Sequence, residues 1–271
     1  MNLVQLSDLH DARIAHYRDL NRSNFTRYSD RFIVESELLA ARLADSRFPV
    51  ESVLVDADRL ALVPPRLPPG VPIYAVPPGS VGQIVGFNFH RGILACGRRV
   101  SEPSVWQQLR SAGPGFTVVV CVDVQDPTNL GTILRNAAAF GAAGVLVTRR
   151  SADPLSRRVI RVSMGAALSL PVTLSEDLPL DLERFRREFH CQPVASVLDP
   201  RAESLQSVSR SPRVALLIGN EAQGLPADIA AACDRQVTIP MSGGTDSLNA
   251  AVASGILLYH FTRLAPTIGS V

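Results

Sequence analysis

The chain contains no lysine, and all 27 of its basic residues are arginine. Codon bias in a GC-rich genome accounts for this without a functional reason, although the planar arginine fork also suits phosphate and base contacts. Charge is nearly balanced, with 25 acidic residues and a formal net charge of +2, so composition alone demands no nucleic-acid partner. The four cysteines, Cys96, Cys121, Cys191 and Cys233, show no paired spacing. They fit neither a zinc ligand set nor a secreted disulfide framework, so reduced thiols and no metal site are expected. The longest apolar runs, residues 116–122 and 248–259, fall short of a membrane span, and no basic-then-apolar segment opens the chain. A cytoplasmic protein with no membrane partner is the expectation. No GxGxxG follows the apolar run at Val118–Val122, which disfavours a Rossmann nucleotide enzyme.

What is present reads as two α/β series. In the first, a polar helix is predicted over residues 11–20. A strand at residues 32–34 follows and leads into a helix with Leu38, Leu39 and Leu43 on one side, then come short strands at 53–55, 73–76 and 93–96. Prolines between residues 64 and 78 mark surface loops there. From Arg98 to Gly115 the pattern dissolves. A stronger series starts at Phe116, with strands near residues 117–122, 144–147, 193–197, 214–218 and 236–239 separated by helical segments. That alternation predicts a mostly parallel sheet with right-handed crossovers. The reading therefore divides the chain into a domain at 1–99, a linker at 100–115 and a domain at 116–271, and the last is expected to fold by itself.

Three polar, glycine-bearing loops in the second series follow apolar strands and lead toward helices. The first, DPTNLGTILRNAAAFGAAGV from Asp126, places Asn129 as a cap and Arg135 on the next helix. The second, IGNEAQGL, sets Glu221 between Gly219 and Gly224, where a glycine lets backbone approach a ligand. In the third, IPMSGGTDSLNAAVASGI, a strand ending at Ile239 crosses a loop of residues 240–244 and enters a helix near Asp246 or Ser247. That helix is too apolar for an ordinary surface position and carries enough small residues to admit another backbone. In a parallel sheet all three loops open at one carboxyl edge and can build one site. Taken singly, Asn129, Ser247 and Asn249 could equally be helix caps and Arg135 a solvated side chain.

Together these segments resemble, in order and spacing, motifs 1, 2 and 3 of the SpoU, or TrmH-like, RNA 2′-O-ribose methyltransferases. The likeness covers residues 116–271. FIVESELL and FHRGILACG resemble that family's RNA-substrate-binding domain, with Glu35-Ser36 where the family commonly has Glu-Gly. The resemblance implies an α/β trefoil-knot methyltransferase domain preceded by a small α/β RNA-binding domain. It also implies S-adenosyl-L-methionine as cofactor, a homodimer built on the carboxyl-terminal domain, and ribosomal or transfer RNA as substrate. By motif, Gly219, Ile239, Met241 and Leu248 are implied to bind the cofactor, and Asn129, Arg135, Glu221, Ser247 and Asn249 to form the polar catalytic set. A non-catalytic RNA-binding protein that kept the fold is the competing expectation. Arg149, Arg150, Arg157, Arg158 and Arg161 form a basic stretch, read either as RNA contact or as a solvated face.

Overall fold

Aliphatic runs with little polar alternation form strands that are covered on both sides, and this is how the second series is built. The computed structural model describes residues 2–20, 29–100, 104–242 and 247–264. In chain order the first elements are β1 (Asn2–Gln5), β2 (Arg31–Glu35), α1 (Glu37–Ala44), β3 (Val50–Asp56), β4 (Pro72–Val76), α2 (Ser80–Val85) and β5 (Ile93–Arg98). There follow α3 (Val105–Ser111), β6 (Phe116–Cys121), α4 (Pro127–Ala139), β7 (Gly144–Thr148), α5 (Arg157–Val162), α6 (Ala166–Ser169) and β8 (Val172–Ser175). The remainder are α7 (Leu178–Phe189), β9 (Gln192–Ser196), β10 (Glu203–Ser204), β11 (Arg213–Ile218), α8 (Ala227–Ala231), β12 (Arg235–Thr238) and α9 (Ala250–Tyr259). The helix predicted over residues 11–20 is a shorter 3-10 segment, Ala12–Tyr17, capped by Asp11.

The chain divides into two compact units: Met1–Ser101 with Leu155–Ser169, and Glu102–Pro154 with Leu170–Val271. By sequence pattern, residues 155–169 fall with the second series. In the structure, α5 and α6 belong to the first unit. Within that unit the sheet order is β1-β4-β3-β5-β2; β5 runs antiparallel to β2 and β3, while β1, β3 and β4 are parallel. Ser36, between β2 and α1, has φ +96 and ψ 155, a region that glycine populates almost alone. Its side chain accepts the Leu39 N–H at 3.4 Å, a long cap bond. Ser36→Gly exchanges this cap, worth a few tenths of a kcal/mol relative to glycine, for release of roughly 1–3 kcal/mol of backbone strain. Added chain entropy in the unfolded state takes back somewhat under ~1 kcal/mol. The expected result is a denaturation midpoint raised by about 1 kcal/mol of stability, and a lowered midpoint would contradict the strain argument.

In the second unit the described strands form a sheet of order β10-β12-β9-β11-β6-β7-β8, with every pairing parallel. Val118, Val120, Ala215 and Leu217 share a core with Leu182, Phe185 and Phe189 of α7 and with Val105, Trp106 and Leu109 of α3. The Trp106 ring lies 4.9 Å from Phe185 and 5.8 Å from Phe189. α3 stands inside the stretch read as a patternless linker. Its seven residues carry too few turns for a periodic signal, but Ser104 and Gln107 form a reciprocal capping box at its start. On the α4 and α9 side, Asn136 donates to the Ala251 carbonyl at 3.1 Å and to Ser254 Oγ at 3.0 Å. The small residues of α9 permit this close approach, since a Cβ on Gly255 would stand 3.3 Å from Asn136 Nδ2. α9 starts at Ala250 with Asn249 as cap, later than the sequence suggested; Gly243, Gly244, Thr245 and Asp246 lie outside the described residues. The helix is also not wholly buried, because Val252, Ile256 and Tyr259 form an exposed apolar stripe. No helix among the described residues is long and apolar enough to cross a membrane.

Candidate active site

Because β6, β9, β11 and β12 run parallel, the loops after them meet at one edge of the second unit's sheet. Residues 126 and 127, Asp-Pro, decide how the first loop enters α4. Asp126 takes the cap position, accepting the Thr128 N–H at 2.6 Å, and Pro127 opens the helix. Asn129 is therefore not the cap. It sits inside the first turn, 7% exposed, and its amide turns toward the other two loops.

There Asn129 Nδ2 donates to Glu221 Oε1 at 3.0 Å, while its Oδ1 accepts from Asn249 Nδ2 at 2.9 Å. Asn249 Oδ1 in turn accepts the N–H groups of Ala251 at 2.9 Å and Val252 at 3.3 Å, capping α9. Glu221 also accepts the backbone N–H groups of Asp126 at 3.2 Å and Gln125 at 3.4 Å. Three side chains, one from each loop, thus form a continuous hydrogen-bonded line. The carboxylate lone pairs and the Asn129 amide are largely occupied in holding the loops together.

Arg135 does not join this line. It lies six residues beyond Asn129, about 9 Å along the helix and about 120° around it, and is exposed. It has no hydrogen-bond or ion-pair partner among the described residues. Ser247 is likewise exposed and its hydroxyl is unengaged among those residues.

A cavity of about 270 Å³ opens beside the line, walled by Ser196–Leu198, Ile218–Leu225, Ser247, Leu248, Ala250 and Ala253. A smaller apolar cleft of about 40 Å³ adjoins it, lined in part by Ile239, Met241 and Leu248. Gly219, Ile239, Met241 and Leu248 therefore all face this region, as do Glu221 and Ser247. Sequence reasoning missed the wall formed by Ser196, Val197 and Leu198. The only available signal was their position after a strand at the shared edge, since they carry neither glycine nor charge.

Gly219 has a different reason from the one the sequence suggests. A Cβ there would stand 2.3 Å from the Gly224 carbonyl carbon and 2.4 Å from the Leu225 nitrogen. The loop folds back on itself, with Asn220 and Gly224 exchanging backbone hydrogen bonds at 3.0 and 2.9 Å and Gly224 at φ +68. Glycine at 219 lets the loop's own backbone close. Beneath the site, burial and the nearby Glu221 charge push the Cys121 thiol up to about 12, so it stays protonated. The basic stretch is split: Arg149 pairs with Glu176 and Arg150 with Asp123 in the second unit, whereas Arg157, Arg158 and Arg161 belong to the first.

Residues 117–259 match the sequence model of the SpoU rRNA Methylase family. An uncharacterized tRNA/rRNA methyltransferase of Mycobacterium bovis is 37% identical, over 99% of this chain and 95% of the relative. The 23S rRNA (guanosine-2′-O-)-methyltransferase RlmB of Acinetobacter baylyi is 32% identical over 72% of this chain and 80% of its own length. Among solved structures, the AdoMet-bound rRNA methyltransferase of Sinorhizobium meliloti superposes with a TM-score of 0.78 at 26% identity, covering 96% and 97% of the two chains.

Proposed function

Since the chain belongs to the SpoU rRNA methylase family, we propose that it transfers a methyl group from S-adenosyl-L-methionine to a ribose 2′-oxygen in ribosomal or transfer RNA. The observation that carries this reading is the tie of Asn129, Glu221 and Asn249 across three loops, beside a cavity walled by the same loops. The cavity, at about 270 Å³ and open to solvent, is close to the lower end of small-molecule sites, roughly 300–1,000 Å³. Its wall supplies backbone donors and acceptors from the glycine loop, and the adjoining cleft supplies aliphatic surface. Both suit a nucleoside with an amino-acid tail.

In this reading Gly219, Leu248, Ile239 and Met241 hold the cofactor, with residues 196–198 closing its far side. When bound, the cofactor supplies an electrophilic methyl group on a sulfonium. Asn129, Glu221 and Asn249 act as positioning residues, because their polar atoms already serve one another. Arg135 and Ser247 have side chains free to meet the RNA. A guanidinium is essentially always charged, so the role assigned to Arg135 is to fix a phosphate beside the target ribose. There it also stabilises negative charge that develops on the acceptor oxygen. The exposed stripe of Val252, Ile256 and Tyr259 supports a homodimer through the second unit, since burying it against a second copy removes apolar surface from water. The first unit is assigned to RNA selection, the second to the trefoil-knotted catalytic domain, and the cytoplasm is the proposed location.

Titration calorimetry tests the cofactor assignment. The full chain is expected to bind S-adenosyl-L-methionine, and Gly219→Ala to lose at least about tenfold in affinity, since the added methyl group displaces the backbone that walls the cavity. Wild-type protein that is folded yet binds no cofactor would favour the non-catalytic RNA-binding alternative.

A further inference from the structure

The first unit holds a cluster of charged groups that the methyl-transfer site does not use. Glu35, at the end of β2, is 2% exposed and pairs with two arginines of α5: Arg157 Nε at 3.0 Å and Arg161 Nη1 at 3.5 Å. Two cations share one carboxylate, so the cluster keeps a net positive charge. The Arg157 guanidinium also lies 4.7 Å over the ring of Phe87, and Phe87 meets Phe89 edge-on at 6.0 Å.

Both rings belong to the loop between α2 and β5, which continues through His90, Arg91 and Gly92. Since β5 runs antiparallel to β2 and β3, this loop stands at the sheet edge where those two strands end. It is braced on two sides: the Ser36 N–H donates to the Ile93 carbonyl at 3.1 Å, and Arg59 Nη1 donates to the His90 carbonyl at 3.0 Å. Gly92, at φ +73, is pressed so close that a Cβ would meet Arg59 Cδ at 2.6 Å. Arg59, His90 and Arg91 are exposed, with Asp58 as an exposed carboxylate beside them. Arg91 has no hydrogen-bond or ion-pair partner among the described residues.

We propose that this edge is an RNA-phosphate-binding surface assembled from two distant stretches of chain, the Phe87–Arg91 loop and α5, with Glu35 as the positioning residue for Arg157 and Arg161. The proposal rests on the reading of the chain as an RNA methyltransferase and adds where the first unit grips the RNA. Arginine forks match phosphate oxygens, and an aromatic pair under a guanidinium suits stacking with an unpaired base.

Fluorescence anisotropy on the full chain tests it, using an RNA stem-loop with an unpaired loop at several salt concentrations. Arg91→Ala and Arg161→Ala are each expected to weaken binding several-fold. Each should also flatten the salt dependence by about 0.7–0.9 in log–log slope, the signature of one lost phosphate contact. Arg187→Ala, on α7 of the second unit, should do neither. Glu35→Gln separates positioning from simple charge balance: removing a negative charge tightens binding if Glu35 only neutralises, and weakens it if Glu35 holds the arginines in place. Should Glu35→Gln fail to fold, the two arginine variants still decide. Wild-type affinity and slope in both, in a chain that still methylates RNA, would overturn the surface while leaving the methyltransferase reading intact. A wild-type chain that binds cofactor but no RNA would overturn both.

Discussion

Replacing Arg135 with alanine is expected to lower methyl transfer by about a hundred- to a thousand-fold, the usual loss when a group aimed at developing charge is removed. Cofactor affinity should be nearly unchanged. Arg135 makes no bond to the line of Asn129, Glu221 and Asn249 and does not wall the cavity, so its removal disturbs neither. Nor should the fold suffer, because the side chain is exposed and replaces no internal bond among the described residues. Arg135→Lys refines the result. It keeps the charge and loses the fork, so an activity near that of alanine indicates two-pronged phosphate contact, and substantial retained activity indicates charge alone. Transfer of labelled methyl to RNA, paired with a cofactor titration, provides the measurement. A folded alanine variant that no longer binds cofactor would place the residue wrongly.

The second large effect concerns a fragment that begins at Phe116. Read from sequence, that fragment contains a complete α/β series and is expected to fold alone. The structure leads to the opposite result. Such a fragment lacks α3, whose Val105, Trp106 and Leu109 are buried in the second unit's core. At roughly 1.5–3 kcal/mol for each of the three buried side chains, the loss is about 4.5–9 kcal/mol, comparable with the whole stability of a typical domain, about 5–15 kcal/mol. The fragment also retains residues 155–169, whose Leu155, Val159, Ile160 and Leu168 are buried within the first unit and would face water without it. Loss of near-ultraviolet circular dichroism and sedimentation as aggregate are expected. Cooperative unfolding of a soluble fragment starting at Phe116 would contradict this reasoning.

The same two features show where sequence reading reached its limit. β6 and β11 are legible because their aliphatic runs are long, whereas β8 has four residues and β10 two. α3 is too short for periodicity to appear. Nothing in the order of residues says which of two cores will receive Leu155 and Ile160, because the choice is made by surfaces far away in the chain. At the site, the three loops and their convergence followed from pattern alone. The exchange of roles between Asp126 and Asn129 did not, because both residues can cap a helix and only the proline at 127 favours the earlier one. The Ser196–Leu198 wall was invisible because those residues carry neither glycine nor charge to mark them as part of a site.

The most direct measurement of the central claim uses the full chain, S-adenosyl-L-methionine with a labelled methyl group, and separate pools of unmodified ribosomal and transfer RNA. The RNA is then digested and its nucleosides identified. Label is expected on the ribose 2′-oxygen, where it makes the adjacent phosphodiester resist alkali, in one pool and at a defined site. Label on a base, or no transfer from a protein that binds the cofactor, would contradict it.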